Sequence, residues 1–310
     1  MKTKYSSYVI AVLLTILSAF FIVLTSTLRI LLPSDVTTFE SILYMNGITL
    51  IVFAIVQGIR KERYTIKQKK LVFIRSIFGL VGVYFFFRSY QLGLSLSAGT
   101  MIVQMQPIWS AIGMLVLMKE VLRKDQRIIL PLTLLISLFG VGLISNIFST
   151  SGESLRAVSV SLVASMISGI AMVIIRKIML TEHVLSVGIF NAAISFVVPL
   201  FIVIIMGDLK VLEVSTYLIL LFMGITNALV VGGIALAAHF ASPTKTGPYS
   251  YAAVAFAPIV QIVVFGTTIS GNVLMGSIII VSMSVLNFIY TNKFNQKEKE
   301  QHEQQTTSTT

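Results

Sequence analysis

The sequence predicts an all-α integral membrane protein with ten transmembrane helices arranged as two inverted five-helix repeats. Three observations support this prediction. Hydrophobic residues make up 56% of the 310 residues and charged residues only 11%, whereas about a quarter of an average soluble domain is charged. Apolar stretches long enough to cross the hydrocarbon core of a bilayer recur from Tyr8 to Tyr290. Basic residues also alternate between the loops that separate these stretches.

Taken in order, the apolar stretches give ten spans. These are 8–28, 36–58, 72–94, 97–118 and 128–148 in the first half, and 157–179, 184–206, 214–237, 248–269 and 272–292 in the second half. Very short polar segments at 94–97 and 270–272 separate spans three and four and spans nine and ten. We expect tight helical hairpins there, because a helix of about 45 residues is too long for one crossing of a bilayer.

The basic residues predict the orientation of the spans. With a cytoplasmic N-terminus, 18 of the 23 lysines and arginines fall on the cytoplasmic side, and Arg29, Arg156 and Lys210 fall in outside loops. Cytoplasmic loops of membrane proteins collect Lys and Arg. We therefore expect a multi-pass protein of the cytoplasmic (inner) membrane with both termini in the cytoplasm. The same bias explains the net charge of +11 without nucleic-acid binding.

The loop around 149–153 divides the spans into two sets of five, which predicts a first repeat at 1–150 and a second at 151–292. An odd number of spans in each half places the halves in opposite orientations across the membrane. Pro107 and Pro258, 151 residues apart, fall near the middle of spans four and nine. Proline removes a backbone donor, so both are predicted helix-bend positions. Residues 293–310 contain almost no apolar side chains and are predicted to be a disordered cytoplasmic tail.

Several segments resemble the EamA-type members of the drug/metabolite transporter superfamily. The segments are Thr38-Phe39-Glu40, Arg75-Ser76-Ile77-Phe78-Gly79-Leu80, Tyr90-Gln91-Leu92-Gly93-Leu94-Ser95-Leu96-Ser97-Ala98-Gly99, Gln106-Pro107 and Lys119-Glu120. The resemblance runs in order along the whole chain up to the tail, and it implies ten helices in two inverted repeats and a transport function. Met45-Asn46 stands where the family often carries an arginine, and the second repeat lacks a counterpart of Glu120. The resemblance therefore implies no particular substrate.

Charged and polar residues inside spans are candidates for solute binding, because their burial in a bilayer is costly. Arg88 and Glu40 either pair across a cavity mouth, or bind an anionic and a cationic group of the solute, or are interfacial side chains that reach toward water. Arg75 is predicted to be a cytoplasmic anchor or a partner of Glu120. The other candidates are Tyr44, Asn46, Tyr84, Gln104, Trp109, Asn191 and Tyr249. The alternative for the aromatic members is lipid-facing packing or an interfacial belt.

The sequence thus predicts a secondary transporter for a small organic metabolite, which is amino-acid-like, nucleotide-like or cationic. Exchange, uniport and proton coupling stay open, since only Glu40 is placed to carry protons within a span. The expected partners are the solute and membrane lipid, with no nucleic acid, metal or cofactor. The glycines predict close helix packing and are compatible with a homodimer. The alternatives are a non-transporting scaffold and a membrane-embedded enzyme, although no loop gathers the groups that catalysis needs.

Overall fold

The computed structural model is helical wherever it forms regular structure. It describes residues 2–61, 65–106, 108–110, 112–113, 132, 135–136, 139–140, 143, 154–179, 181–207, 210–240, 247–283, 285–286 and 289. Most of the fifth predicted span (128–148), the 293–310 tail, Pro107, Glu120 and Lys245 lie outside the described residues.

The helices, in chain order, are α1 Lys2–Leu31, α2 Thr38–Arg60, α3 Lys69–Gln91, α4 Leu96–Val103, α5 Leu155–Ile178, α6 Val184–Met206, α7 Val214–Phe240 and α8 Ala252–Phe265, followed by α9 Gly271–Met283. A 3-10 helix, Gly247–Tyr251, precedes α8. Six helices of the described chain (α1, α2, α3, α5, α6 and α7) contain segments long and apolar enough to cross a membrane. The prediction of an all-α, multi-pass membrane fold agrees with these helices, and α6 has the bounds of its predicted span.

The short connection between α3 and α4 is the tight hairpin that the sequence predicts. Gly93 adopts a φ of +90°, and the amides of Gly93 and Leu94 donate back to the carbonyls of Tyr90 and Ser89 at 3.0 and 3.1 Å. This is the Schellman arrangement, which ends a helix with a residue of positive φ. Ser95 then begins α4 by accepting a hydrogen bond from the amide of Ala98 at 3.3 Å.

Side chains of two glutamates cap the helices that follow the first two loops. Thr37 and Glu40 form a capping box at the start of α2: the Thr37 amide donates to Glu40 Oε2 at 2.9 Å, and the Glu40 amide donates to Thr37 Oγ1 at 3.2 Å. Glu182 performs the same function from a distance, because its carboxylate accepts from the amides of Lys67 and Gln68 just before α3. Both carboxylates satisfy amides that a helix start leaves without partners.

The fourth predicted span, 97–118, is interrupted in its described part. Helix α4 ends at Val103, and Gln104 and Met105 form a turn. The amide of Ile108 donates to the Met105 carbonyl at 3.0 Å, in place of the Gln104 carbonyl. Since Pro107 has no amide proton, the Val103 carbonyl also loses the donor that a continuous helix provides. In contrast, α8 continues through Pro258 as one helix.

The closest helix packing joins the two halves of the chain. Helix α1 packs along α7, α3 along α5, and α2 along α6 and α7, while α4 contacts α8 and α5. The largest buried cluster includes apolar residues from the connections after α1, α3, α6 and α8, which the topology places at one end of the bundle; among them are Leu32, Val36, Leu94, Leu212 and Ile269. Apolar side chains of both halves therefore pack together at the end that the charge pattern predicts to face outward.

Candidate solute-binding site

Hydrogen bonds between helices join polar side chains of the two halves. Thr25 on α1 donates to Thr226 on α7 at 2.8 Å. Asn227 on α7 donates to Thr49 Oγ1 on α2 at 3.0 Å. Bonds of this kind are favourable where water is absent, because an unpartnered polar group in an apolar medium is costly. A solute that crosses between the halves would thus meet hydroxyl and amide groups.

Two predicted residues, Gln104 and Trp109, lie in and just after the interruption in the fourth span. Gln104 is 7% exposed, and its Nε2 donates to the Ser250 carbonyl at 3.3 Å. The indole Nε1 of Trp109 donates to Ser165 Oγ on α5 at 2.8 Å. Both side chains therefore reach from the first half into the second, next to the backbone carbonyls that the interruption frees. Polar groups of the two halves therefore meet at this interruption.

Two of the predicted aromatic residues, near the end of the bundle that is predicted to face outward, contact other aromatic rings. Tyr84 on α3 stacks on Phe39 of α2, with ring centroids 4.6 Å apart and an angle of 22° between the rings. Tyr44 on α2 meets the edge of Tyr217 on α7, with centroids 5.8 Å apart. Both tyrosines are half-buried. These rings pack against protein, and a flat or cationic solute group is the chemistry that they could accept.

Glu40 and Arg88 bind groups other than each other. Glu40 is 1% exposed; its Oε2 serves the capping box of α2, and its Oε1 has no hydrogen-bond partner. Arg88 is exposed and donates to Gln91 Oε1 at 3.0 Å. Gln91 in turn accepts from Thr38 Oγ1 at 2.6 Å and donates to the Val36 carbonyl at 2.9 Å. The Arg88 guanidinium is thus held beside the loop that connects α1 and α2.

The remaining predicted residues lie at separate places in the bundle. Asn191 on α6 is 9% exposed and accepts a hydrogen bond from Arg75 Nη1 on α3. Asn46 is buried, but its Nδ2 donates to the Ile42 carbonyl of its own helix at 2.9 Å. The hydroxyl of Tyr249 lies 3.3 Å from that of Tyr8, between the start of α1 and the 3-10 helix before α8. Among the described contacts, none joins Asn191, Asn46 or Tyr249 to another of the nine predicted binding residues.

Sequence reasoning missed one buried cation. Arg29 was expected in an outside loop, but it lies in the last turn of α1 and is only 3% exposed. The apolar residues on both sides of it, Leu28 and Ile30, were the available sign that the helix continues past position 28. The prediction that Arg29 belongs to a loop is wrong, because the apolar pattern that defines α1 extends to Leu31.

Comparison with known proteins identifies a shared fold. No family model matches the chain, and no curated protein matches it. A solved structure, described only as a crystal structure of a protein, superposes with a TM-score of 0.62 and 16% sequence identity. The superposition covers 94% of this chain and 99% of the other. This likeness shows that the two chains share a fold over nearly their full lengths.

Proposed function

We propose that this chain is a secondary transporter, similar to the EamA type, that moves a small organic metabolite across the cytoplasmic membrane by alternating access. In this proposal residues 1–150 and 151–292 are two inverted five-helix repeats with the solute path between them. The observation that carries the proposal is that specific contacts between helices occur twice. Each contact joins a residue of the first half to a residue of the second half, and it occurs again with the roles of the two halves exchanged.

The first repeated contact joins a glycine to a serine. A Cβ atom built at Gly82 on α3 would lie 2.8 Å from Ser168 Oγ on α5, and a Cβ atom at Gly233 on α7 would likewise clash with Ser18 Oγ on α1. The two serines are 150 residues apart in the sequence, and the two glycines are 151 apart. Pro107 and Pro258 have this same spacing. The contact of α3 with α5 therefore corresponds to that of α7 with α1 after the halves are exchanged.

The second repeated contact lies between α2 and α6, which have 23 residues each. A Cβ atom at Gly47 on α2 would lie 3.1 Å from the ring of Phe196 on α6, and a Cβ atom at Gly188 on α6 would lie 3.1 Å from the ring of Phe53 on α2. On each helix, a glycine thus packs against a phenylalanine of the other helix. A two-fold axis that passes between the two helices would produce this reciprocity, and such an axis relates inverted repeats.

The chemistry between the halves supports transport in particular. Interrupted helices with free carbonyls, placed at a repeat interface, are typical of solute sites in secondary transporters. Here the interruption at Gln104 and Met105 adjoins Trp109 and its bond to Ser165 of the other half. A scaffold needs no such polar, interrupted segment in its interior. The amino-acid-like, nucleotide-like and cationic metabolites predicted from the sequence are all compatible with these groups.

Transport itself is tested with the purified protein in liposomes. Vesicles are loaded with mixtures of amino acids, nucleotides or organic cations, and counterflow of each radiolabelled solute is measured against protein-free vesicles. We expect at least one solute class to accumulate faster than in the control. If no solute moves in either direction, the proposal is wrong and a non-transporting function becomes the better interpretation.

Alternating access is tested with a reversible cross-link between two introduced cysteines. Only these two thiols can react, because the chain contains no cysteine of its own. The amide of Ser97 on α4 donates to Gln261 Oε1 on α8 at 2.8 Å, and the Ser97 hydroxyl also donates to it. In the S97C/Q261C variant, a short bifunctional thiol reagent should hold the two helices together and stop transport, and reduction should restore it. S97C alone, treated with the same reagent, is the matched control. Full transport by the cross-linked protein would contradict rocking of the repeats.

A further inference from the structure

Arg29 is a buried cation whose hydrogen-bonding capacity is largely unused. Its residue is 3% exposed, and neither Nε nor Nη2 has a hydrogen-bond partner. Arginine stays charged in proteins, and removing a charge from water without a partner is strongly unfavourable. The described chain supplies no hydrogen-bond partner for these two nitrogens of Arg29.

The two unpartnered nitrogens form one edge of the guanidinium group. Nε–H and the adjacent Nη2–H point in the same direction, and the spacing of two parallel N–H donors matches the two oxygens of a carboxylate or a phosphate. A lysine ammonium offers a point charge without this geometry. The free groups of Arg29 are therefore specific for a planar or tetrahedral oxyanion.

Arg29 lies on the face of α1 that is turned toward the other helices of the bundle. Ser26 lies three residues earlier on the same face of the helix, and its side chain lies beside the hydroxyl of the buried Tyr90 on α3. Arg88 lies close enough to act on Arg29 as a charge of the same sign. Two cations that lie near each other create a positive potential, which attracts an anion.

We propose that the Nε/Nη2 edge of Arg29 binds a carboxylate or phosphate group of the transported solute near the outer end of the bundle. The inference rests on the proposed transport function and narrows it to anionic metabolites. Arg88 supplies a second positive charge close by. Leu32 and Val36, in the loop after α1, belong to the apolar cluster that closes this end. An anion therefore reaches Arg29 when the outer ends of the repeats separate.

The experiment measures thermal unfolding of the purified full-length protein in detergent, alone and with defined probes. The probes are inorganic phosphate and three matched pairs in which a carboxylate is replaced by an amide: aspartate and asparagine, glutamate and glutamine, malonate and malonamide. The variants are R29K, which keeps the charge but loses the two-donor edge, and R29M, which has a similar length and no charge. R156Q removes an exposed outer-end cation and is the matched control.

We expect phosphate or the carboxylates to raise the unfolding temperature of the wild type and of R156Q, whereas the amides do not. R29K should weaken that binding by about tenfold to a hundredfold, since hydrogen bonds to charged groups are worth about 1.5–3 kcal/mol each. R29M should abolish binding, yet the ligand-free variant should unfold at a higher temperature than the wild type, because an unpartnered buried charge has been removed.

Two results would overturn the inference. A lower unfolding temperature of ligand-free R29M would show that Arg29 is held by a group of this chain. Equal responses of the wild type to the carboxylates and their amides, with none to phosphate, would show that no oxyanion site exists. In either case transport of another solute class by the wild type would leave the proposed function intact. Conversely, anion binding without movement of any solute would refute transport and leave the site at Arg29 standing.

Discussion

The indole N–H of Trp109 donates to Ser165 Oγ at 2.8 Å, and Gly169, one turn further along α5, lies directly against the same tryptophan. A Cβ atom at Gly169 would be 2.5 Å from Trp109 Cβ and 2.9 Å from the Gln106 carbonyl. Backbone therefore contacts backbone at this crossing, as is common where small residues allow membrane helices to approach closely. The single hydrogen bond of the indole depends on that approach.

Replacing Gly169 with alanine should destabilise the protein. The added methyl group meets a Cβ and a backbone carbonyl, neither of which can move aside as the end of a side chain can, so α5 must shift away from the fourth span. Overpacking of this kind costs about 1–3 kcal/mol. We expect a lower unfolding temperature for G169A in detergent and a change in tryptophan fluorescence, which reports Trp109 alone because it is the only tryptophan.

Gly58 provides the matched control for G169A. It lies in α2, and a Cβ atom there would have no neighbour within 4 Å. Alanine in a helix is favoured over glycine by about 0.5–1 kcal/mol. We therefore expect G58A to leave the unfolding temperature unchanged or to raise it slightly, with unaltered fluorescence. Equal behaviour of G169A and G58A would mean that the close crossing at Trp109 does not contribute to stability.

The apolar spans could be predicted from the sequence because a bilayer imposes a length on every helix that crosses it. The bounds of α6 follow from a run of apolar residues that ends at Gly207, which has a φ of +67°. The α3–α4 hairpin follows from Gly93 and Ser95, whose local chemistry ends one helix and begins the next. These features depend on residues near each other in the chain, so composition and order suffice to find them.

The site could not be predicted to the same extent, because its contacts join residues far apart in the sequence. Trp109 is a predicted binding residue because it is the lone tryptophan and lies in the middle of a span. Nothing in the sequence, however, singles out Ser165 as the acceptor of its hydrogen bond. Pro107 predicts a bend, whereas the end of α4 at Val103 depends on where Ile108 finds its acceptor. The burial of Arg29 depends on how α1 packs against its neighbours, which hydropathy does not report.

The two glycine–serine contacts should respond to mutation in the same way if the halves are equivalent. In G82A the new methyl group meets Ser168 Oγ at 2.8 Å. In G233A it meets Ser18, whose hydroxyl donates to the Leu14 carbonyl at 2.7 Å. A serine hydroxyl can turn away from the new methyl group, as a backbone atom cannot, so we expect each alanine to lower stability by only about 0.5–1.5 kcal/mol, the net worth of one hydrogen bond.

Removal of the opposing hydroxyl is the control for this pair of variants. G82A/S168A and G233A/S18A should each recover part of the lost stability, because the clashing oxygen is gone, and the coupling should be about 0.5 kcal/mol or more in both double-mutant cycles. Thermal unfolding of the four single variants and two double variants measures both couplings. Coupling in only one of the two pairs would argue against equivalent repeats.

Gln91 should be important for order at the end of the bundle that is predicted to face outward. Its amide accepts from Thr38 Oγ1 and Arg88 Nη1 and donates to the Val36 carbonyl. Q91L keeps the volume but removes all three bonds, and we expect a loss of about 1–3 kcal/mol, with faster amide hydrogen exchange in residues 34–40. Q91E keeps both acceptor bonds and loses only the bond to Val36, so it should lie between the wild type and Q91L. Identical exchange in Q91L and the wild type would show that the loop is held by other contacts.

The Arg75–Asn191 pair offers a test of how a cation is tolerated within the bundle. Arg75 Nη1 donates to the Asn191 side chain, and the neighbouring Gly79 leaves room for both groups. In N191L the guanidinium loses its neutral acceptor while its Nε already has none. Loss of a hydrogen bond to a charged group costs about 1.5–3 kcal/mol, whereas replacing both partners by apolar residues of similar shape can be nearly neutral or stabilising. We therefore expect N191L to unfold at a clearly lower temperature than the wild type and R75M/N191L to recover most of the difference.

N191D, which gives the cation a carboxylate, should be at least as stable as the wild type. If the double variant is no more stable than N191L, Arg75 makes a stabilising contact beyond Asn191, and the loss in N191L comes from packing between α3 and α6.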